Sequence, residues 1–396
     1  MWFARTAVFV VFGLNGFAYG TWAPRVPALA DQVGAQVGAL GLALLGASVG
    51  MVIAASVTGR ICAAVGARAV VLASVIACYA VLPVLGLVES PFALGIVLCG
   101  LGMGIGALDV SMNVAGVTVG RMLDRPMMPV FHAGFSFGGL FGAAGAAGAA
   151  WLRLPPLQHF LIITAVGILV VLLLIRFVPN EAGAGQPALA AASSGPAPIR
   201  RPVLWLLAAV ALCSAIAEGT SADWSALFLV TERGVSEGSA AIAYGAFSIA
   251  MAIARLFGER MERRFGSTRL VVLASATAAA GLLCAALIAH PAAGYLGFIL
   301  AGGGLAYSFP VALGLAGAAG QRADGGGGER EIGLVTTIAY SGFLTGPPLI
   351  GMLAHVSSLA VAVGTAGLIA ALIVPAVLGA RAARRAERAH IVEPVH

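Results

Sequence analysis

Charged residues in this chain are confined almost entirely to short breaks between long apolar stretches. Twelve of these stretches are long enough to cross about 30 Å of hydrocarbon. They cover approximately 6–29, 38–59, 67–88, 91–120, 127–151, 157–178, 203–230, 238–261, 268–289, 292–320, 332–354 and 357–380. Lipid offers backbone groups no partners, so each stretch is expected to be a helix. A membrane barrel would need short alternating strands, and the sequence has none. Of the 396 residues 60% are hydrophobic and 10% charged, which excludes an ordinary soluble core and defines a polytopic membrane protein. The first apolar run carries Asn15, Tyr19, Trp22 and Arg25 and lacks a small-residue cleavage site, so it reads as a span rather than a signal peptide.

The breaks sort by charge. Lys is absent, and the basic residues are 22 Arg. With the N-terminus inside, only Arg25, Arg153 and Arg233 fall on the outer side. This asymmetry predicts that both termini are cytoplasmic. It also accounts for the net charge of +6 without a nucleic-acid partner. The five Cys lie in or beside spans with no CxxC or Cys/His cluster, so neither a disulfide framework nor a zinc site is expected. No nucleophile triad, metal constellation or phosphate loop occurs, and the GxG pairs sit inside spans. The chain reads as a non-enzyme without a cofactor.

Residues 179–202 are rich in Pro, Gly, Ala and Ser and read as a linker. They divide the chain into a first six-helix bundle (1–178), a second (203–380) and a basic cytoplasmic tail (381–396). The tail is either a topology anchor or a lipid-headgroup contact. Gly325–Gly328 reads as a second flexible loop. The halves resemble each other weakly. At an offset of 200, Met51 meets Met251, Ala54 meets Ala254, Arg60 meets Arg260 and Gly66 meets Gly266. Such parallel duplication predicts a binding site near the midplane, between the halves.

These features and several local motifs resemble the major facilitator superfamily over essentially the whole chain. The loop between spans 2 and 3 in that family reads G-x-x-x-D-R-x-G-R-R; here it is "GRICAAVGAR" (59–68). Gly59, Gly66 and Arg68 match, while Ala63 stands at the acidic position, so the resemblance carries no acidic lock into the first half. "NGFAYGTWAPRVPAL" (15–29), "ALDVSMNVAGVTV" (107–119), "RPMMPVFHAGFSFGGL" (125–140), "AEGTSADWSALFL" (217–229) and "GPPLIG" (346–351) are similar to the branch of MosC-like and YbjJ-like proteins near the fucose permeases. That resemblance implies an all-α membrane protein, with twelve transmembrane helices in two pseudo-symmetric six-helix bundles. It also implies proton-linked movement of a small polar solute.

Asp109 is the only charged residue between Glu89 and Arg121. A carboxylate there is costly unless it lines a cavity, finds a partner or takes a proton. Asn113 shares its face, as do Gly102, Gly106 and Gly116. The pair is either a proton-coupling and solute-binding site or a structural helix–helix hydrogen bond. Glu218 is the second proton-coupling candidate, with Ser214, Ser221 and Ser225 at helical spacing. Its alternative is a salt bridge to Arg255. Asp223 lies on another face and reads as a cap or gate, ranked below Glu218. On span 1, Asn15, Tyr19 and Trp22 share a face suited to stacking on and bonding a sugar-like or polyol solute; Trp22 can equally be an interfacial belt residue. Arg25, between Pro24 and Pro27, is either an outer-gate ion pair or a helix-end cap. Arg60 and Arg68 are gate candidates of the 59–68 loop. His132 and Ser136 open span 5, where His132 is either a relay or a structural histidine. Gly134, Gly138 and Gly142 read as a packing face. Tyr244 and Arg255 share a face of span 8 with Ser248. Trp224, Tyr307 and Tyr340 complete the substrate-facing candidates, although such Tyr residues also bond backbone carbonyls.

The expected function is secondary transport of a sugar- or polyol-like solute by alternating access, with protons and the bilayer as partners and a monomer as the working unit. Two rivals stand beside it: a proton-driven exporter of amphipathic compounds, and a non-transporting membrane receptor or scaffold.

Overall fold

A computed structural model describes residues 2–123, 127–179, 200–320 and 329–392. The expected 179–202 linker, apart from its ends, and the Gly325–Gly328 loop lie outside the described residues. We number the spanning segments α1 (Trp2–Trp22), α2 (Val37–Val65), α3 (Ala67–Leu85), α4 (Pro91–Leu123), α5 (Met128–Trp151), α6 (Pro156–Leu174), α7 (Pro202–Arg233), α8 (Glu237–Leu256), α9 (Ser267–Leu287), α10 (Pro291–Leu305 with Ser308–Gly320), α11 (Glu329–Val356) and α12 (Leu359–Val392). Eleven helices among the described residues are long and apolar enough to cross a membrane. The twelfth expected span is present as α11, which is less apolar because Thr336, Thr337, Tyr340, Ser341 and Thr345 interrupt it.

Helix boundaries follow local chemistry. Pro91, Pro156, Pro202 and Pro291 open α4, α6, α7 and α10, where the missing N–H costs nothing. Gly66 (φ 87°) separates α2 from α3, and Gly266 (φ 73°) precedes α9, so the two halves turn the same corner with the same left-handed glycine. Two spans are less regular than expected. Pro24 and Pro27 break the end of span 1 into a 3-10 turn, Ala23–Arg25, and a short helix, Val26–Gln32. Gln32 Nε2 ties that helix to the carbonyls of Leu85 (2.9 Å) and Val88 (2.8 Å). Span 10 is interrupted at Ala306–Tyr307, because Pro310 cannot donate back across the turn.

Within the first half, α1 packs on α5 and α2 on α4 with backbones in contact. A Cβ at Gly16 or Gly138 would collide with the carbonyls of Phe135 or Gly13. The glycines of α5 therefore form the packing face expected of them. Tyr79 Oη, on α3, donates to the Leu14 carbonyl of α1 at 2.7 Å and closes this layer. The halves touch through α2 with α11 and α5 with α8, and Ala23–Arg25 also packs on α7 and α8.

Candidate functional site

A cavity of about 330 Å³ lies between the halves. Its walls come from α1, α2, α4 and α5 on one side and α7, α8 and α11 on the other. Asn15, Tyr19 and Trp22 all face it, as their spacing on α1 requires. So do Asp109, Ser136, Glu218, Asp223, Tyr244, Arg255 and Tyr340. Ser248 completes the α8 face expected with Tyr244 and Arg255, and Met51 and Met251, equivalent in the two halves, both line it.

The polar groups bridge the halves. Tyr19 Oη donates to Asp223 Oδ1 at 2.6 Å, joining α1 to α7. The Tyr19 ring stacks on Tyr244 at 5.9 Å and meets Trp22 edge-on at 5.5 Å. Arg255 Nη2 lies 3.6 Å from Glu218 Oε1, so the salt-bridge alternative for Glu218 is realised inside the cavity. Asp109 has no side-chain donor to its carboxylate among the described residues. Two lining residues each keep a polar atom buried without a protein partner among the described residues: Asn15 Oδ1 and Trp22 Nε1. Leaving such buried groups unpaired costs about 1–3 kcal/mol each, so they mark hydrogen-bonding positions not used by the fold.

The remaining candidates fall outside the lining. Asn113 turns back along α4 and donates to the Asp109 carbonyl at 2.7 Å, so it does not reach the Asp109 carboxylate. Ser221 Oγ donates to the Ala217 carbonyl at 2.8 Å, and Ser214, Ser221 and Ser225 are buried within the second half. The serine stripe expected beside Glu218 therefore faces away from the cavity, while Asp223, expected on another face, points into it. Trp224 is fully buried behind the wall. Tyr307 donates to the Ala254 carbonyl at 2.7 Å, the backbone-bonding alternative. His132 is exposed near the start of α5, edge-on to Phe12 at 5.2 Å. Arg68 Nε donates to the Val178 carbonyl at 2.6 Å, and Arg60 is exposed at the end of α2. Sequence reasoning did not single out Ser48 or Phe343. Ser48 Oγ donates to the Phe343 carbonyl at 2.8 Å across the halves, and both line the cavity.

One end of the cavity is shut. Arg25, buried after α1, donates to the Leu154 carbonyl at 2.8 Å and lies 4.0 Å from Glu237 of α8. Beside it, Gly41 of α2 meets Gly351 of α11 so closely that a Cβ on either would sit under 3 Å from the other's Cα. Toward the opposite end, where α2 finishes and α11 begins, Val52, Ile53, Val57, Ile61 and Tyr340 are exposed. Two helical halves that meet tightly at one end, with a polar cavity between them, are the architecture of a membrane transporter.

The comparisons agree with that class. Residues 8–327 match the Major Facilitator Superfamily, and the chain belongs to that family. It is 35% identical to an uncharacterized MFS-type transporter of Yersinia pestis, over 91% of both chains. It is 26% identical to the membrane protein MosC of Rhizobium meliloti, over 88% of this chain and 83% of that one. Among solved structures, the nucleoside transporter NupG superposes with a TM-score of 0.71 at 12% identity, over 96% of this chain and 98% of that one. A point variant of the E. coli fucose:proton symporter FucP gives 0.61 at 16%, over 95% and 98%. At these identities the structural likeness speaks for the fold.

Proposed function

We propose that this transporter moves a small polar solute of sugar or polyol type, coupled to protons, across a bacterial inner membrane with both termini cytoplasmic. The observation that carries the reading is the cavity wall. Unpaired Asn15 Oδ1 and Trp22 Nε1, the Tyr244 hydroxyl and three carboxyl groups are set among aromatic rings. Rings stack on the C–H faces of a polyol while amide, hydroxyl and carboxyl groups bond its hydroxyls. A volume of about 330 Å³ sits at the small end of ligand pockets, which run from about 300 to 1,000 Å³. Asp109 and Glu218 are the proton-coupling residues, and Asp223 joins them as the residue whose bond to Tyr19 ties the closed end. Arg25 belongs to the same gate. In this reading Arg255 neutralises Glu218 in one state and releases it in another. The same fold occurs in FucP, a fucose:proton symporter, and in NupG, a nucleoside transporter, so the reading is compatible with the architecture.

Counterflow in proteoliposomes tests the reading: preloaded unlabelled solute should drive uptake of labelled solute, and an imposed pH gradient should drive accumulation. A second reading rests on the apolar part of the wall, which includes Leu44, Val52, Ile105 and Phe247. It is export of amphipathic compounds, and it predicts resistance on overexpression with no sugar or polyol counterflow.

A further inference from the structure

Away from the central cavity, a groove of about 210 Å³ opens where α7, α9, α10 and α12 meet. Its apolar wall is Val203, Leu207, Leu315, Val377 and Ala380. Its rim is Thr268, Arg381, Arg384 and Arg385, with no acidic residue in the lining. The apolar run of α12 ends at Ala380 and the arginines begin one residue later, so the groove straddles the boundary between hydrocarbon and headgroups. The nearby acids are already engaged: Arg201 lies 2.7 Å from Glu387 and 3.7 Å from Glu331. Arg201 also donates to the Ala319 carbonyl (2.9 Å) and Arg384 to the Ala318 carbonyl (3.1 Å), which holds the end of α12 against α10. Arg381 and Arg385 are one turn apart and pair with no carboxylate among the described residues.

We infer that this groove is a binding site for an anionic phospholipid. The acyl chain lies on the Leu207–Leu315–Val377 wall, and the headgroup phosphodiester is held by Arg381 and Arg385 with Thr268 beside them. Guanidinium groups suit this ligand because they engage phosphate oxygens two at a time, and a basic patch at a span end attracts anionic headgroups. A zwitterionic lipid offers the same chains but cancels the headgroup charge. Inorganic phosphate offers the charge without the chains. The groove discriminates against both.

Native mass spectrometry of the full-length protein in detergent tests the site with phosphatidylglycerol and phosphatidylcholine of identical chains. Wild type should retain phosphatidylglycerol at least about tenfold better, and the R381Q/R385Q variant should lose that preference. Phosphatidylglycerol should also slow hydrogen exchange in wild type at residues 377–387 and 313–320, a readout independent of whether the variant folds. The site is refuted if the double variant keeps the preference or if the two lipids are retained equally. It is equally refuted if exchange there does not change, or if inorganic phosphate displaces the lipid at millimolar concentration.

Discussion

Gly41 and Gly351 face each other across the halves, and adding one methyl group there should open the shut end. A Cβ on Gly41 would lie 2.8 Å from both Gly351 Cα and the Pro347 carbonyl, where ordinary contact begins at 3.4 Å. Helices α2 and α11 must therefore part, by 0.6 Å if ordinary contact is to be restored. The clashing atoms are backbone, so no side-chain rotation relieves it. Overpacking of this kind costs about 1–3 kcal/mol. In the proposed rocking of the halves this contact must separate, so the cost falls on the closed state and not on the fold. It should move the equilibrium toward the state in which these ends are apart by roughly 5- to 150-fold. Spin labels at Gln36 and Ser357, beside the facing ends of α2 and α11, report this by pulsed electron resonance. Gly41→Ala should transfer population to a longer distance with little change in melting temperature. Gly138→Ala is the contrast, since its Cβ collides with the Gly13 carbonyl inside the first half. That variant should melt lower and leave the distances alone. A Gly41→Ala protein with the wild-type distance distribution would refute the reasoning, as would a Gly138→Ala protein that separates the labels equally.

Three further outcomes are expected. Tyr19→Phe removes the 2.6 Å bond to Asp223 and leaves that carboxyl without its donor in the closed end. The closed state should weaken by about 1–3 kcal/mol, read as a longer Gln36–Ser357 distance. Arg255→Gln takes away the cation 3.6 Å from Glu218, so accumulation driven by an imposed pH gradient should fall, measured as uptake in proteoliposomes. Tyr79→Phe deletes a buried bond within the first half, at 2.7 Å to the Leu14 carbonyl; thermal melting should show a loss of about 1 kcal/mol while uptake per folded molecule is retained.

Span positions were legible because length and the exclusion of charge are enough to set them. Gly66 and Gly266 were legible as a repeated corner because only glycine adopts that backbone without cost. On α1 and α8 a few large polar residues sit among small apolar ones, and Asn15–Tyr19–Trp22 and Tyr244–Ser248–Arg255 therefore reported their face correctly. Helix α7 did not. It is apolar nearly all round, with Ser, Glu and Asp on several sides, so its own pattern carries no preference for which side meets the cavity. Packing in the folded protein decides, burying Ser214, Ser221 and Ser225 and turning Asp223 toward Tyr19. That contact joins residues 204 apart in sequence, which no local spacing can reveal. Similarly, Ser48 looked like one more small residue in an apolar span, and only the approach of α11 gives its hydroxyl the Phe343 carbonyl.

The central claim is that carboxyl groups in the cavity couple solute movement to protons, and one measurement addresses it most directly. Asp109→Asn and Glu218→Gln proteins, reconstituted separately in proteoliposomes, are assayed for counterflow and for accumulation driven by an imposed pH gradient. The account predicts that pH-driven accumulation is lost in both variants while counterflow persists in at least one. If both variants still concentrate solute against its gradient as wild type does, the coupling assignment is contradicted.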